Sequence, residues 1–300
     1  MRIGFFGAGK AGFTLGKYFS DKGEDVVGYW SRNPKSAEDA ADFTNSMYYD
    51  SAEELIRHSD TLFLTVPDSA IGTLWDGIKN FPLKDKLVCH VSGALSSGVF
   101  SDINQTGAFG YSIHPLFAIH SKYNSHKQIE KAFFTIEGSK ERMYIIRSLM
   151  DRLGNNYAII ASDKKELYHA AAVTASNHVL ALLSSAQSYL VECGMTKAQA
   201  ESALNPLFIG NAQNAAEVGV INALTGPVER GDLSTIKKHI SCLEDFKDED
   251  KQLYLLLALK LCDLAEKKNE GYGKNHIGIG ENMRTYLREE LKIEAISINI

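Results

Sequence analysis

The chain has 300 residues, of which 44% are apolar and 23% charged, and a net charge of −5; such a composition describes ordinary globular domains, about two of them at this length. The acidic balance and the lack of any basic block give no electrostatic support for binding nucleic acid or an acidic membrane surface, and no uncharged apolar run reaches the roughly 18 residues that a membrane span needs. Cys89, Cys193, Cys242 and Cys262 are scattered without a CxxC pair, so they read as small buried hydrophobes of a reducing cytoplasm, with no disulfide frame and no metal site expected.

The first predicted element is a strand over residues 3–6, which starts at once without the charged and apolar regions of a secretory leader. The turn Gly7-Ala8-Gly9-Lys10-Ala11-Gly12 follows, then a helix whose Phe13, Leu15, Tyr18 and Phe19 share one stripe, then a strand over 26–30. This order suits a dinucleotide. The first glycine permits the tight turn, the second admits a pyrophosphate to the backbone, and the third lets helix and strand pack closely. The anion would rest on the helix N-terminus. Where an NAD site places an acid for the ribose hydroxyl, this chain has Ser31-Arg32-Asn33. An acid would repel a 2′-phosphate, whereas Ser31 and Arg32 can hydrogen-bond it, with Lys35 as a helper, so the expected cofactor is NADP(H).

Ser51 and Glu54 predict a capping box for a helix to about residue 58, before a strand over 61–66 that Pro67-Asp68 ends. A helix over 70–80, a strand over 87–91, a helix over 96–103 and a strand over 108–113 come next. Strands over 133–137 and 157–161 flank a helix over 139–153. Repeated βα units predict a mostly parallel sheet covered on both faces. At Asp163 strand signals almost vanish, and the expected organisation is a Rossmann-type domain, residues 1–162, followed by an all-α substrate and dimerisation domain, residues 163–300. Its helices are expected over 164–193, from the cap Thr196 with Gln199, from Asn205 as N-cap with Pro206 at N1, from the cap Asp232, and over 248–268. Beyond Gly271 a short charged helix and a small strand over 295–300 are expected.

An open parallel sheet binds its ligand beyond the carboxyl ends of its strands. Three segments lie there: Val66-Pro67-Asp68-Ser69, Val91-Ser92-Gly93-Ala94 and Ile113-His114-Pro115. Val66, Pro67, Ser92 and Gly93 are thus candidate cofactor contacts. His114 is the leading candidate for chemistry: hydride transfer to a carbonyl leaves an alkoxide, and an imidazole titrating near neutrality can protonate it. The alternative is a histidine that merely ends a strand. On the expected long helix, His169 and Ser176 fall about 20° apart and Asn177 about 80° from His169, so the three can face one cleft. Between residues 224 and 232, Thr225 and Arg230 sit in a turn-rich loop, where Arg230 offers a bidentate site for a carboxylate and Asp232 reads as the helix cap.

Together Gly7 to Gly12, His90-Val91-Ser92-Gly93-Ala94-Leu95-Ser96-Ser97, His114-Pro115-Leu116, Tyr168-His169-Ala170-Ala171-Ala172 through Ser176-Asn177, and Leu224-Thr225-Gly226-Pro227 through Arg230-Gly231-Asp232 resemble bacterial Rossmann-like oxidoreductases with a helical C-terminal domain of unassigned function. The resemblance implies a fold related to 6-phosphogluconate dehydrogenase, pyrroline-5-carboxylate reductase and ketopantoate reductase, an NADP(H) cofactor, and a homodimer formed through the helical domain. Ser92 and His114-Pro115 resemble the serine and His-Pro of prephenate dehydrogenases. The helix is similar to the Lys-x-x-x-Asn-x-x-x-Asn pattern of ketopantoate reductases, with His169 at the lysine position, Val173 at the first asparagine and Asn177 at the second.

The function expected from these readings is NADPH-dependent reduction of a small 2-oxo acid, with ketopantoate as first candidate. His114 or His169 would donate the proton, Asn177 and Ser176 orient the carbonyl, and Arg230 hold the carboxylate, with Ser92 and Thr225 also at the substrate. The alternatives are an NADP(H) sensor without turnover, and prephenate-dehydrogenase-like, imine-reductase-like or deazaflavin-dependent chemistry.

Overall fold

The computed structural model describes residues 1–271 and 277–292; the expected strand over 295–300 lies outside the described residues. The chain divides into two compact units, Met1–Asn177 and His178–Ile300. The first begins β1 (Arg2–Phe6), α1 (Lys10–Asp21), β2 (Asp25–Trp30), α2 (Pro34–Thr44), β3 (Met47–Tyr48), α3 (Ala52–His58), β4 (Thr61–Leu64), α4 (Asp68–Ile78). It continues with β5 (Leu87–His90), α5 (Ile103–Thr106), β6 (Phe109–Leu116), β7 (Phe133–Gly138), α6 (Met143–Leu153), β8 (Tyr157–Ile159) and α7 (Lys165–Ala175). The strands form one sheet in the order β3-β2-β1-β4-β5-β6-β7-β8. The strands from β3 to β6 are mutually parallel, as expected. β7 turns back antiparallel to β6, and β8 runs parallel to β7.

Period-two alternation explains why both faces are covered. Phe5, Phe63 and Cys89 point to one face, with Phe13, Phe19, Tyr111, Phe134 and Leu149. Phe6, Leu62, Leu64 and Val88 point to the other, against Trp75 and Phe100. Pro34 at the first position of α2 and a left-handed Asn45 at its C-cap are local signals of a helix that the reading of the chain passed over, along with the two-residue β3.

Other expectations are corrected. The helix expected over 96–103 is a single 3-10 turn, Ser97–Val99, followed by the short α5, because Asp102 at φ 58° interrupts helical winding. The helix expected over 164–193 is broken at Ser176 (φ −125°, ψ −77°) into α7 and α8 (Asn177–Glu192). This removes the common helical wheel on which His169, Ser176 and Asn177 were placed together. α9 (Lys197–Val218) opens with the expected capping box at Thr196 and runs through Pro206. Proline lacks only one amide donor, and the helix-forming residues on either side carry the winding past it. Cys89 and Cys262 are buried and all four thiols are free, but Cys193 and Cys242 are exposed.

In the second unit α10 (Val220–Ala223), α11 (Leu233–Cys242), α12 (Asp248–Gly271) and α13 (Ile277–Glu290) follow. Ile236 and Ile240 of α11, Leu255, Ala258 and Cys262 of α12, and Met283 and Leu287 of α13 share one core. Among the described residues no helix is long and apolar enough to cross a membrane.

Candidate active site

The turn after β1 is held from both sides: the Gly7 amide donates to the Trp30 carbonyl at 2.8 Å, and Thr65 Oγ1 donates to the Gly7 carbonyl at 2.8 Å. Gly7 has φ +100°, a conformation that a side chain disfavours. A Cβ on Gly12 would collide with the Gly7 carbonyl and stand 2.7 Å from Thr65 Oγ1, so helix and strand pack at the distance that only glycine allows. A Cβ on Gly9 would meet nothing within 4 Å. Gly9 is also the N-cap of α1 and offers no side chain to its first-turn amides, which leaves them available to an anion.

These residues open onto a crevice of about 380 Å³. Of the candidate cofactor contacts, Gly7, Ala8, Gly9, Ser31, Arg32, Val66 and Pro67 line it, together with Thr65, Ser36 and Lys122. Lys10, Ala11, Gly12, Ser92 and Gly93 are not in its lining. Arg32 is exposed and, among the described residues, makes no ion pair. Lys35, in contrast, pairs with Asp39 at 3.0 Å and Glu38 at 3.7 Å along its own helix. Lys122 carried no local signal in the sequence. It reaches the crevice from the segment between β6 and β7, with its ammonium 4.5 Å from the Phe13 ring centroid.

A second constellation surrounds the loop after β5. Ser92 is only 4% exposed, and its hydroxyl donates to Asp68 Oδ2 at 2.6 Å while accepting from the Ala94 and Leu95 amides at 3.1 and 3.0 Å. One donor and two lone pairs are all a serine hydroxyl has, so Ser92 shapes the turn and has none to spare for substrate. The Ser92 amide donates to His90 Nδ1 at 3.2 Å, which leaves His90 Nε2 to donate to the Ser96 carbonyl at 3.1 Å. Burial pushes His90 down to about 4, and it remains a neutral brace.

The turn presents Gly93 to two imidazoles. A Cβ there would lie 2.9 Å from both His114 Nε2 and His169 Nδ1. His114 does not end its strand, as expected from its proline; pairing with β7 carries β6 on to Leu116 and sets His114 opposite Thr135. Its Nδ1 lies 2.6 Å from the Tyr168 hydroxyl. Burial, then the positive Lys165 and His169, push His114 down to about 4 despite the opposing charge of Asp68. The expected titration near neutrality is therefore corrected: at pH 7 His114 is a neutral hydrogen-bonding group. His169 Nδ1 is buried and has no hydrogen-bond partner among the described residues.

Lys165, unremarked within Asp163-Lys164-Lys165-Glu166, is 2% exposed and donates to the Ser92 carbonyl at 3.0 Å and to Ser112 Oγ at 2.8 Å. Burial lowers it to about 8, against the stabilising charges of Glu137 and Asp68. The available signal was spacing: Lys165 stands three and four residues before Tyr168 and His169 on one helix face.

The Ser176 hydroxyl donates to the Ala172 carbonyl at 2.7 Å and lies 3.1 Å from Asn177 Oδ1, and Ser176 and Asn177 are exposed. Thr225 and Arg230 lie in the second unit, in a turn closed by the Asp232 amide on the Pro227 carbonyl at 2.8 Å, with Arg230 exposed. Asp232 caps α11, accepting from the Thr235 amide at 3.0 Å. Among the described residues no group of three or more His, Cys, Asp or Glu side chains is placed to hold a metal ion.

Residues 1–115 match the Rossmann-like domain and residues 132–261 match a domain of unknown function (DUF2520). No curated protein matches the chain. Among solved structures, protein TM1727 from Thermotoga maritima is 28% identical over 89% of this chain and 99% of that one, with a TM-score of 0.74. BF3122 from Bacteroides fragilis is 23% identical over 86% and 96% (TM-score 0.67). Pyrroline carboxylate reductase from Plasmodium falciparum is 16% identical over 90% and 97% (TM-score 0.58). The last two share the fold with this chain. The chain is thus similar to a Rossmann-like domain in its first part and to the DUF2520 domain in its second.

Proposed function

We propose that the protein is an NADP(H)-dependent oxidoreductase that reduces a small 2-oxo acid, with ketopantoate the first substrate to assay. The observation that carries this reading is a crevice in which a glycine turn, a free helix N-terminus and Arg32 meet, all in the one unit that also holds His114 and His169. The residues fit a dinucleotide: Gly7 and Gly12 leave no room for side chains, Gly9 leaves open space for a phosphate, and Arg32 is available to a 2′-phosphate. Similar folds with NADP or NADPH bound include the Plasmodium pyrroline carboxylate reductase and an imine reductase from Myxococcus stipitatus, which supports the choice of cofactor.

NADPH, when bound, supplies a hydride. Gly7, Ala8 and Gly9 would hold its pyrophosphate, and Ser31 and Arg32 its ribose phosphate. His114, neutral at pH 7, polarises a carbonyl by donating from Nε2, and His169, whose Nδ1 has no other partner among the described residues, is placed to hydrogen-bond the developing alkoxide. Gly93 keeps the space between the two rings free for the reacting group. The resemblance of the segment around His169 and Asn177 to ketopantoate reductases supports the substrate class, and the exposed Leu180 (64%) and Leu207 (68%) on α8 and α9 support a homodimer. Four free thiols fit a reducing cytoplasm.

The test is NADPH oxidation followed at 2-oxo acids, cyclic imines and prephenate in parallel. Turnover with ketopantoate or another 2-oxo acid is expected. Oxidation with an imine alone would replace the substrate class, and tight NADPH binding with no turnover on any of them would leave a sensor.

A further inference from the structure

His114 Nδ1 and the Tyr168 hydroxyl are 2.6 Å apart, with the two rings edge to face at 82°. A neutral imidazole carries one proton, on Nδ1 or on Nε2, and the partner of one nitrogen decides which. If Nδ1 held it, Nε2 would face Gly93 as an acceptor and give nothing to a carbonyl. The surroundings favour the other arrangement. Thr135 is paired with His114 across β6 and β7, is 4% exposed, and its buried Oγ1 has no hydrogen-bond partner among the described residues. It lies against Tyr168, whose ionisation it eases while burial opposes it. Among the described residues His114 Nδ1 is the one acceptor within hydrogen-bond distance of the Tyr168 hydroxyl, so a proton on Nδ1 would leave the phenolic proton without an acceptor, whereas a bare Nδ1 takes it. Lys165, with its ammonium 5.3 Å from the Tyr168 ring centroid, disfavours a second proton on the imidazole.

We propose that Tyr168 is a positioning residue: its hydroxyl donates to His114 Nδ1 and so fixes the imidazole with its proton on Nε2, turned toward Gly93 and the substrate. The inference rests on the reading of His114 as the group that meets the substrate. The tautomer can be observed without turnover.

The experiment records nitrogen–proton correlation spectra of the histidine rings in ¹⁵N-labelled wild type, with His114→Gln to assign the His114 signals, and in Tyr168→Phe and Thr135→Val. In wild type at pH 7, His114 should be a single tautomer with an unprotonated Nδ1. Tyr168→Phe keeps the ring and should give a mixture of tautomers, with NADPH affinity within about twofold of wild type and kcat for the reduced substrate at least about tenfold lower. Thr135→Val should move the same signals less. A wild-type His114 protonated on Nδ1, or a tautomer unchanged in Tyr168→Phe, overturns the proposal. Should Tyr168→Phe fail to fold, the wild-type and Thr135→Val spectra decide. A confirmed tautomer in a protein that oxidises NADPH with no carbonyl compound would refute the proposed function alone.

Discussion

The Lys165 ammonium donates to the Ser92 carbonyl at 3.0 Å, tying the first turn of α7 to the loop that carries Gly93. Lys165→Met would leave that carbonyl to the Ser112 hydroxyl alone, 3.2 Å away, at a cost of about 1 kcal/mol, while removing the desolvation of a buried charge, so the net effect at pH 7 is small. The sign of its pH dependence is definite. With the folded value near 8 and the ordinary value 10.5, the unfolded chain binds more protons in between, and wild type gains stability as pH rises through that window. Urea unfolding of wild type and variant should diverge by up to about 3 kcal/mol between pH 8 and 10.5; parallel curves would show that Lys165 is solvated.

Arg32 lines the crevice beside Ser31 and lacks an acidic partner among the described residues. Arg32→Asp should lower NADPH affinity by about tenfold to a hundredfold, the worth of one or two charge-assisted hydrogen bonds, and leave NADH affinity unchanged or improved. Fluorescence titration with both nucleotides reads this directly. An equal loss with both would assign Arg32 to the pyrophosphate.

Gly93→Ala places a methyl group 2.9 Å from His114 Nε2 and from His169 Nδ1. Both rings must give way, with a strain of about 1–3 kcal/mol. Because Gly93 is outside the nucleotide crevice lining, kcat should fall about tenfold or more while the NADPH dissociation constant stays within about twofold. Retained kcat would mean that the reacting group does not sit between the histidines.

His90 and His114 both have folded values near 4, below the ordinary 6.5. Their contribution is fully present above pH 6.5 and is lost as pH falls toward 4, by up to about 3 kcal/mol for each. Thermal or urea midpoints at pH 7 and 5 should therefore differ more for wild type than for a His90→Gln, His114→Gln double variant. Identical differences would place both imidazoles in water.

The sheet was legible because its cause is local: apolar β-branched and aromatic runs such as Thr61-Leu62-Phe63-Leu64 alternate with cap signals such as Ser51. The glycine turn was legible because Gly7 and Gly12, five residues apart, constrain each other directly. Ser92 was misjudged because its engagement with Asp68 spans two strands. His114 was identified by residue type, but its neutrality depends on burial and on Lys165, far away along the chain. The break at Ser176 and the passage of α9 through Pro206 reversed two local rules.

Because β7 returns antiparallel to β6, the segment over residues 117–132 leaves and rejoins the sheet at one and the same end, the end that bears the crevice. A parallel neighbour would have required a crossover spent on travelling back along the sheet. Here the segment is a hairpin insertion: Ile129 and Ala132 anchor its end in the core, and the stretch that carries Lys122 belongs to no strand's register. It brings Lys122 to the glycine turn as an adjustable arm, so the grip on a nucleotide can be retuned independently of the scaffold that forms the crevice.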